Sequence, residues 1–242
     1  MGLSGCRRPV QFGVRTNTVD TVDTGNADAA PSDLRVAWFT DSGLGPVDPQ
    51  VADTVRQAAA ALANAGVHVE EIDIPTLHHD NPLALFNKQH VMELKPAMAE
   101  ATEGHEDLRF TMSTTMLATP DTSIEDYVAA EQGFERIRDA YAEVFTTYDA
   151  VLLPVLPIPA HEHDKTEFVI DGQTVDATHI QTFTVQFNIT GMPALSMRFG
   201  TSSDGLPIGV QIAGPWHAET TVFNVAKVLE SVSPVRDQHP EI

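Results

Sequence analysis

The sequence predicts an α/β protein, and three stretches carry that prediction. Residues 35–39 and 67–72 are short apolar runs joined by one amphipathic helix, which indicates a parallel strand pair with a right-handed crossover. Residues 150–153 are wholly apolar, as is typical of a buried strand. Residues 194–199 and 206–212 flank a Gly- and Ser-rich turn, and this arrangement predicts a hairpin.

The first helix has clear signals at both ends. Asp48 is a suitable N-cap, and Pro49 suits the first helical position because that residue has no intrahelical partner for an N–H. Gly66 then ends the helix before the second strand. The apolar positions between them recur at helical spacing and predict one buried stripe: Val51, Val55, Ala58, Leu62 and Ala65.

The middle of the chain is predicted to be helical. Residues 80–119 favour helix, with breaks expected at Pro82, Pro96 and Gly104. Ser123 then caps a long helix. Its buried face is predicted to consist of Tyr127, Phe134, Ile137, Tyr141, Val144 and Phe145.

The last third returns to strands. Pro154 and the two prolines that follow force an irregular path after the buried strand. A turn at Asp171 and a short helix near 179–188 precede the hairpin. In the second hairpin strand, aliphatic residues alternate with Pro207, Gly209 and Gln211, so the second face is nearly bare and another element can approach it closely. The aliphatic face comprises Leu206, Ile208, Val210 and Ile212. A final helix, about 218–231, is expected to bury Val222, Phe223, Ala226 and Leu229.

The chain is strongly acidic. The formal net charge is −20, with 34 acidic residues against 14 basic ones, of which four are lysines. Such a surface repels nucleic acid and anionic membranes. Because the acidic residues are dispersed and lysine is scarce, we interpret the chain as halophilic, with salt screening the self-repulsion. The alternative is an ordinary acidic cytosolic protein.

The sequence also indicates a cytoplasmic location. No apolar run approaches the roughly 18 residues needed to span a bilayer. Residues 1–32 have no signal-peptide core and are treated as an unplaced N-terminal segment or linker. Cys6 is the only cysteine, so an intrachain disulfide is impossible, as is usual inside cells.

Several segments resemble the amidase signature family. The most specific are residues 187–194 (FNITGMPA) and 205–215 (GLPIGVQIAGP), which are similar to the C-terminal part of that family. Residues 148–154 (YDAVLLP) resemble its strand-and-proline segment, and residues 34–69 its mid-chain βαβ unit. The resemblance implies that residues 33–242 form the C-terminal part of an α/β/α sandwich, with a mixed β-sheet flanked by helices.

The resemblance covers only the second half of such an enzyme. In that family a Ser-Ser-Lys arrangement in the first half cleaves amides, and no matching Gly- and Ser-rich segment is present in this sequence. We therefore assign no catalytic residue, and we expect the chain alone to be inactive. A truncated reading frame or a split gene would explain the pattern.

The candidate substrate-binding residues are Arg109, Pro154 and Asn188. Arg109 lies where the glutamine-handling amidotransferases of the family supply a basic residue for the substrate carboxylate, although the expected acidic partner is either replaced by Gln181 or missing. A surface arginine in a helix is the alternative. Pro154 opens a rigid segment that could line the substrate entrance or be a plain connector after the strand. Asn188 could instead be a structural amide, as could Gln211, since a buried amide must be hydrogen-bonded. Ser196, in mid-strand, is interpreted as a small core-facing residue.

No metal and no cofactor are expected. The tract His161–Asp164 has the composition of a metal site, and a solvated loop is the alternative that we favour, because short tracts of this kind are compositional signals only. The family cleaves amides without a metal. The same holds for the tract at residues 78–80.

Two functions remain open at this point. The first is an amidase-family hydrolase that converts a small-molecule amide to a carboxylate and ammonia or an amine. The second is a non-catalytic remnant, or one part of an amidotransferase-like assembly that must pair with a separate catalytic half. In either case a missing N-terminal half or a second copy should cover an exposed sheet edge, with the strands at 35–39 and 206–212 as the places expected to be uncovered.

Overall fold

The fold was analysed in a computed structural model, which describes residues 29–238. Its centre is a five-stranded sheet in the order β2-β1-β3-β7-β6. The strands are β1 (Arg35–Trp38), β2 (His68–Glu71), β3 (Ala150–Pro154), β6 (Ala194–Thr201) and β7 (Pro207–Ala213). Strand β1 is parallel to both β2 and β3, whereas β7 is antiparallel to β3 and β6, so the sheet is mixed as expected.

A separate two-stranded hairpin consists of β4 (Glu167–Ile170) and β5 (Gln173–Asp176). The helices are α1 (Pro49–Asn64), α2 (Pro75–His79), α3 (Pro82–Ala101), α4 (Thr111–Ala118), α5 (Ile124–Val144), α6 (Thr182–Thr190) and α7 (Glu219–Ser231). Within residues 29–238, none of these helices has both the length and the apolarity needed to cross a membrane.

The sheet has two apolar cores, one on each of its faces. On the first face, α1 and α7 pack on alternate strand residues, including Val36, Leu152 and Val210. On the second face, α2, α5 and α6 pack on the residues of opposite phase, including Ala37 and Val151. Strands β1 and β3 are therefore enclosed on both sides, which explains why every residue of β3 is buried.

The structure confirms the predicted N-caps of α1 and α5 and the glycine that ends α1. The Asp48 carboxylate accepts a hydrogen bond from the Gln50 N–H at 2.8 Å, and Pro49 begins α1. Gly66 follows the helix with φ of 98°, a left-handed conformation that favours glycine. The Ser123 hydroxyl accepts from the Asp126 N–H at 3.0 Å and so caps α5.

Three expectations about burial and breaks are wrong. Helix α3 continues through Pro96, because it packs against α4, α5 and α6 and these contacts offset the lost hydrogen bond. Phe223 is 63% exposed, since Val225 and not Phe223 completes the buried stripe of α7. Leu206 lies in the turn before β7, 38% exposed, and so takes no part in the buried strand face.

The exposed sheet edges are also not those expected. Strands β1 and β7 are both interior, and the outer strands among the described residues are β2 and β6. The reason is topological: β1 lies between its two parallel neighbours, and β7 lies between β3 and its own hairpin partner.

Candidate functional site

Helix α6 is held in place by buried polar side chains. The Tyr141 hydroxyl on α5 donates a short hydrogen bond to the Gln186 side-chain carbonyl, and both residues are fully buried. The Gln186 amide donates in turn to the Thr182 carbonyl at 3.2 Å. Burial raises the pKa of the Tyr141 hydroxyl, so it remains a donor at all ordinary pH values.

A second amide ties α6 to the sheet. Gln211 on β7 is 5% exposed, and its side-chain N–H groups donate to the Phe183 carbonyl at 3.1 Å and to the Pro154 carbonyl at 3.5 Å. The prediction of a buried structural amide is therefore confirmed for Gln211. This contact also brings Pro154, a candidate site residue, beside the first turn of α6.

The loop between β1 and α1 is attached to the same helix. His179, just before α6, forms a 3.0 Å hydrogen bond with the Pro46 carbonyl. The Thr182 hydroxyl donates to the His179 carbonyl at 2.7 Å. At the other end of α6, Arg138 donates twice to the Ile189 carbonyl, at 3.0 and 2.6 Å, and the Trp216 indole N–H donates to the Thr190 carbonyl at 2.7 Å. Both ends of α6 are thus fixed by side chains from other elements.

The outward surface of α6 is polar and uncharged. Asn188 is exposed, and Thr184 and Gln181 lie three to four residues apart before it, on the same helical face. Because Asn188 is exposed, it does not fix the loop to the following strand. The Arg138 and Trp216 side chains perform that task instead, and the sequence alone did not identify them.

The sheet beside α6 has an uncovered surface, which we call the open face. It consists of Ala194, Ser196 and Arg198 on β6 and of Pro207 and Gly209 on β7. Ala194, Ser196 and Pro207 are exposed, and Arg198 and Gly209 are half-buried. The expectation that Ser196 faces the core is therefore wrong, because Leu195 and Met197 are the β6 residues that pack on the first core. A Cβ on Gly209 would lie only 3.2 Å from Val155, which confirms the predicted close approach to the bare side of β7.

Arg109 belongs to a different part of the molecule. It follows α3, and its side chain donates to the Thr102 hydroxyl at 3.0 Å and the Thr102 carbonyl at 3.5 Å. Its guanidinium also forms an ion pair with Glu106 at 3.6 Å. These contacts hold Arg109 within its own loop. The structure thus brings Pro154 close to α6, which carries Asn188, but no described contact connects Arg109 with either.

One cluster within the described chain combines serine, aspartate and histidine. The Ser42 hydroxyl donates to Asp73 at 3.0 Å and accepts from the Ile74 N–H at 2.8 Å, and His78 contacts the same Asp73 oxygen at 2.7 Å. The carboxylate therefore lies between serine and histidine, whereas a nucleophilic triad needs histidine in the middle. The hydrogen bond from His78 lowers the pKa of Asp73, which makes it a poor general base. The cluster attaches the β1–α1 loop to α2.

Three of the four lysines and His161 interact with other groups of the chain. Lys88, Lys95 and Lys165 each form an ion pair with a carboxylate, at 2.7 to 2.9 Å. His161 bonds with the Glu162 backbone carbonyl and packs on Phe168 at a ring distance of 4.8 Å. Between residues 29 and 238, no group of three or more His, Cys, Asp or Glu side chains is arranged to hold a metal ion.

Comparisons with known proteins agree with this architecture. The family model Amidase matches residues 14–223, which extends upstream of residue 33, where the sequence resemblance begins. The A component of the glutamyl-tRNA(Gln) amidotransferase of Bdellovibrio bacteriovorus is 26% identical over 244 residues, which cover 90% of this chain and 49% of that protein. The fatty acid amide hydrolase of Arabidopsis thaliana is 27% identical over 212 residues, covering 82% of this chain and 32% of that protein.

Solved structures share the fold. The structure of a 6-aminohexanoate cyclic dimer hydrolase superposes with a TM-score of 0.75 at 24% identity and covers 98% of this chain and 52% of its own. A bacterial aryl acylamidase of the amidase signature family superposes with a TM-score of 0.72 at 21% identity, covering 90% and 49%. This chain therefore spans about half or less of the length of these relatives. Since the family model matches most of the sequence and the fold agrees with it, the chain belongs to the amidase family.

Proposed function

We propose that this protein acts in the hydrolysis of linear carboxylic amides, and that the chain supplies the sheet and one wall of the substrate pocket. The observation that carries the proposal is the family match over residues 14–223. Two relatives that align with most of this chain are named for amide chemistry, one as an amide hydrolase and the other as part of an amidotransferase.

We place the substrate wall at the outward surface of α6 and the adjoining Pro154 segment. An amide group has one carbonyl acceptor and N–H donors, and neutral polar side chains such as Gln181, Thr184 and Asn188 can satisfy both without a charge. The wall is rigid because Gln211 joins the Pro154 carbonyl and the first turn of α6 from within the core. Preorganised polar groups of this kind lose little entropy when a substrate binds.

The bond-breaking groups come from the other half of the fold in this proposal. By resemblance to the family, a lysine and a serine would activate the nucleophilic serine, and backbone amides would stabilise the tetrahedral oxyanion. The described lysines that form ion pairs, Lys88, Lys95 and Lys165, are unsuited to that task, since each ammonium faces a carboxylate.

The test is an amidase assay on the purified 242-residue chain with an aliphatic amide, an aryl amide and glutamine. We expect no release of ammonia or amine above the rate of the buffer alone. A Ser42→Ala variant is the matched control, because the Ser42 hydroxyl donates to Asp73, which also contacts His78. Turnover by the chain that the Ser42→Ala change abolishes would contradict the proposal and place the nucleophile in this chain.

The alternative is a non-catalytic role, either as a remnant or as a component that works with a separate catalytic polypeptide. The similarity to glutamyl-tRNA(Gln) amidotransferase sequences supports the second version, because those proteins are named as parts of an assembly. A glutamine-specific role would need a cation for the substrate carboxylate, and Arg109 already bonds to Thr102 and Glu106. We therefore favour neutral amides over glutamine as substrates of the assembled protein.

We also propose a salt-rich cytoplasm as the working environment. The support is compositional: a net charge of −20, four lysines and a single cysteine. The physical consequence, a dependence of stability on salt, is testable and is treated in the Discussion.

A further inference from the structure

We propose that a cavity at the carboxyl end of β1 binds a small aliphatic amino acid in its zwitterionic form. The cavity has a volume of about 380 Å³ and lies between the β1–α1 loop, the first half of α1 and the turn of the β4–β5 hairpin. The proposal concerns ligand binding and rests on the lining of this cavity, so it does not depend on the proposed function.

The cavity lies where the topology of the sheet favours a ligand site. Strand β1 lies between two parallel neighbours, and the loop that follows it, within residues 40–47, lines the cavity. Helix α1, after β1, packs on the first face of the sheet, whereas α2, after β2, packs on the second. In α/β sheets, ligands bind at the carboxyl ends of strands where neighbouring connections leave to opposite faces. The volume is also within the range of about 300 to 1,000 Å³ that is typical of small-molecule sites.

The walls of the cavity are held in place by other contacts. The segment that carries the β4–β5 hairpin is attached to the β1–α1 loop on both sides of the hairpin. Before the hairpin, the Pro157 carbonyl accepts a hydrogen bond from the Asp48 N–H at 2.8 Å. After it, His179 bonds to the Pro46 carbonyl at 3.0 Å. Ile170, immediately before the hairpin turn, is 1% exposed and anchors the turn. A ligand therefore meets a preformed site, which reduces the entropy cost of binding.

Charged residues of both signs line the cavity. The Arg56 guanidinium donates to Asp53 through one nitrogen at 2.6 Å, and its remaining N–H groups have no partner within residues 29–238. Asp171, in the hairpin turn, has no hydrogen bond or ion pair with any other described residue. One Asp41 oxygen accepts from the Gly43 N–H at 2.6 Å, and the other is available. One guanidinium and two carboxylates can therefore still bond to a ligand.

The rest of the lining is apolar or uncharged. Pro46, Val47 and Ala52 contribute apolar surface, and Thr40 and Gln173 contribute a hydroxyl and an amide. Small-molecule sites combine apolar surface with a few polar groups that fix the orientation of the ligand. The short hydrocarbon chain of an aliphatic amino acid matches the apolar part of this lining.

The mixture of charges selects the class of ligand. A zwitterion pairs its carboxylate with Arg56 and its ammonium with Asp41 or Asp171. A simple anion such as phosphate is repelled by the two carboxylates, and a polyamine is repelled by Arg56. An uncharged apolar ligand would remove these groups from water without pairing them, which is unfavourable. An aliphatic amino acid is a small ligand that satisfies both signs.

Isothermal titration calorimetry on the full 242-residue chain tests the proposal. The probes are norvaline and δ-aminovalerate, which carry the ammonium next to the carboxylate and at the far end of the chain, respectively. Valerate and pentylamine, each with a single charge on a similar hydrocarbon chain, are the control compounds at the same pH and NaCl concentration. We expect a Kd of about 1 mM or tighter for at least one of the two amino acids, and binding about tenfold weaker or less for both control compounds.

Variants that remove one charge locate the site. Arg56→Gln and Asp171→Asn should each weaken binding of the amino acid by about tenfold or more. Asp204→Asn is the matched control for Asp171→Asn, because Asp204 is exposed in the turn between β6 and β7 and is also followed by glycine. Arg236→Gln, at an exposed position after α7, is the control for Arg56→Gln. Neither control should change the Kd by more than about twofold, since distant exposed charges are screened by salt.

Three results would overturn the proposal: no binding of either amino acid up to about 10 mM, equal affinity for a compound with a single charge, or undiminished binding by both Arg56→Gln and Asp171→Asn. An equal loss of affinity in the two control variants would also contradict it, because the net charge of the chain and not the cavity would then determine binding. None of the four compounds contains an amide. The outcome is therefore independent of whether the assembled protein hydrolyses amides.

Discussion

At the scale of single residues, one fully buried hydrogen bond between two side chains helps to fix the position of α6. Tyr141 and Gln186 lie on different helices, and each is the other's partner in a region otherwise filled with aromatic and aliphatic side chains. A buried amide without a partner would cost more than the hydrogen bond itself contributes. The pair therefore specifies how α6 is oriented on α5, and with it the orientation of the proposed substrate wall.

We expect Tyr141→Phe to lower the free energy of unfolding by about 1 to 3 kcal/mol, because it leaves the Gln186 carbonyl oxygen buried and unpaired. Tyr148→Phe is the matched control: that hydroxyl bonds to Glu70 at an exposed site, and the expected loss is about 0.5 kcal/mol. Urea denaturation of both variants measures the difference.

The double variant Tyr141→Phe with Gln186→Leu should lose less than the sum of the two single changes, since it removes both polar partners together. Strict additivity in this cycle would show that the two side chains do not interact in solution.

At the scale of elements, packing overrides local preference in α3. Proline inside a helix removes one hydrogen bond and clashes with the preceding turn, at a cost of about 3 kcal/mol. Pro96 is nevertheless inside a continuous 20-residue helix. The same helix packs closely on α5, where a Cβ at Gly133 would lie 2.5 Å from Leu85. Lys88 and Gln89 add polar contacts to Asp126 and Glu131.

We expect Pro96→Ala to stabilise the protein, because alanine restores the N–H and keeps the helical backbone without the proline ring. The melting temperature should rise by several degrees, in line with about 1 kcal/mol or more for a chain of this size. Pro82→Ala is the control, since Pro82 occupies the start of α3, where proline costs nothing, and should produce no rise. An equal or lower melting temperature for Pro96→Ala would mean that α3 is bent at that position in solution.

At the scale of the whole molecule, two features dominate. The sheet is covered on both faces at β1 and β3 but on one face at β6, and the chain has a large excess of negative charge. The chain has a net charge of −20, and its folded state is held together by two apolar cores, one on each face of the sheet. Repulsion among carboxylates opposes compaction, and it is weakened when salt shortens the Debye length from about 30 Å at 0.01 M to about 3 Å at 1 M.

We therefore expect the melting temperature to rise continuously as NaCl is increased from about 0.01 to about 1 M, by several degrees or more. Circular dichroism across the salt series measures it. Sucrose at matched osmolality is the control, because it stabilises through exclusion from the surface without screening charge. A melting temperature that is flat in NaCl, or that sucrose raises equally, would contradict halophilic adaptation.

The sequence by itself determined those features that depend on neighbours along the chain. The α/β class, the Asp48 and Ser123 caps, the buried β3 strand and the hairpin with a bare β7 face all follow from spacing, capping chemistry and alternation. The family resemblance was equally visible, because its motifs are contiguous. Each of these signals is local, since a cap or a strand period involves residues only a few positions apart.

Only the tertiary structure decided which elements meet. The sequence did not reveal that β6 and not β7 is an outer strand, that Asn188 and Phe223 face outward, or that Gln186 is buried as well as Gln211. One clue was available for Gln186, a polar residue between Val185 and Phe187 in an apolar segment. Its partner Tyr141 lies 45 positions away, and that pairing arises when α5 and α6 pack on one sheet face. Burial depends on the contacts made by the whole fold. Polar residues in similar local sequence can therefore differ in burial, as Gln186 and Asn188 do: the first is buried and the second is exposed.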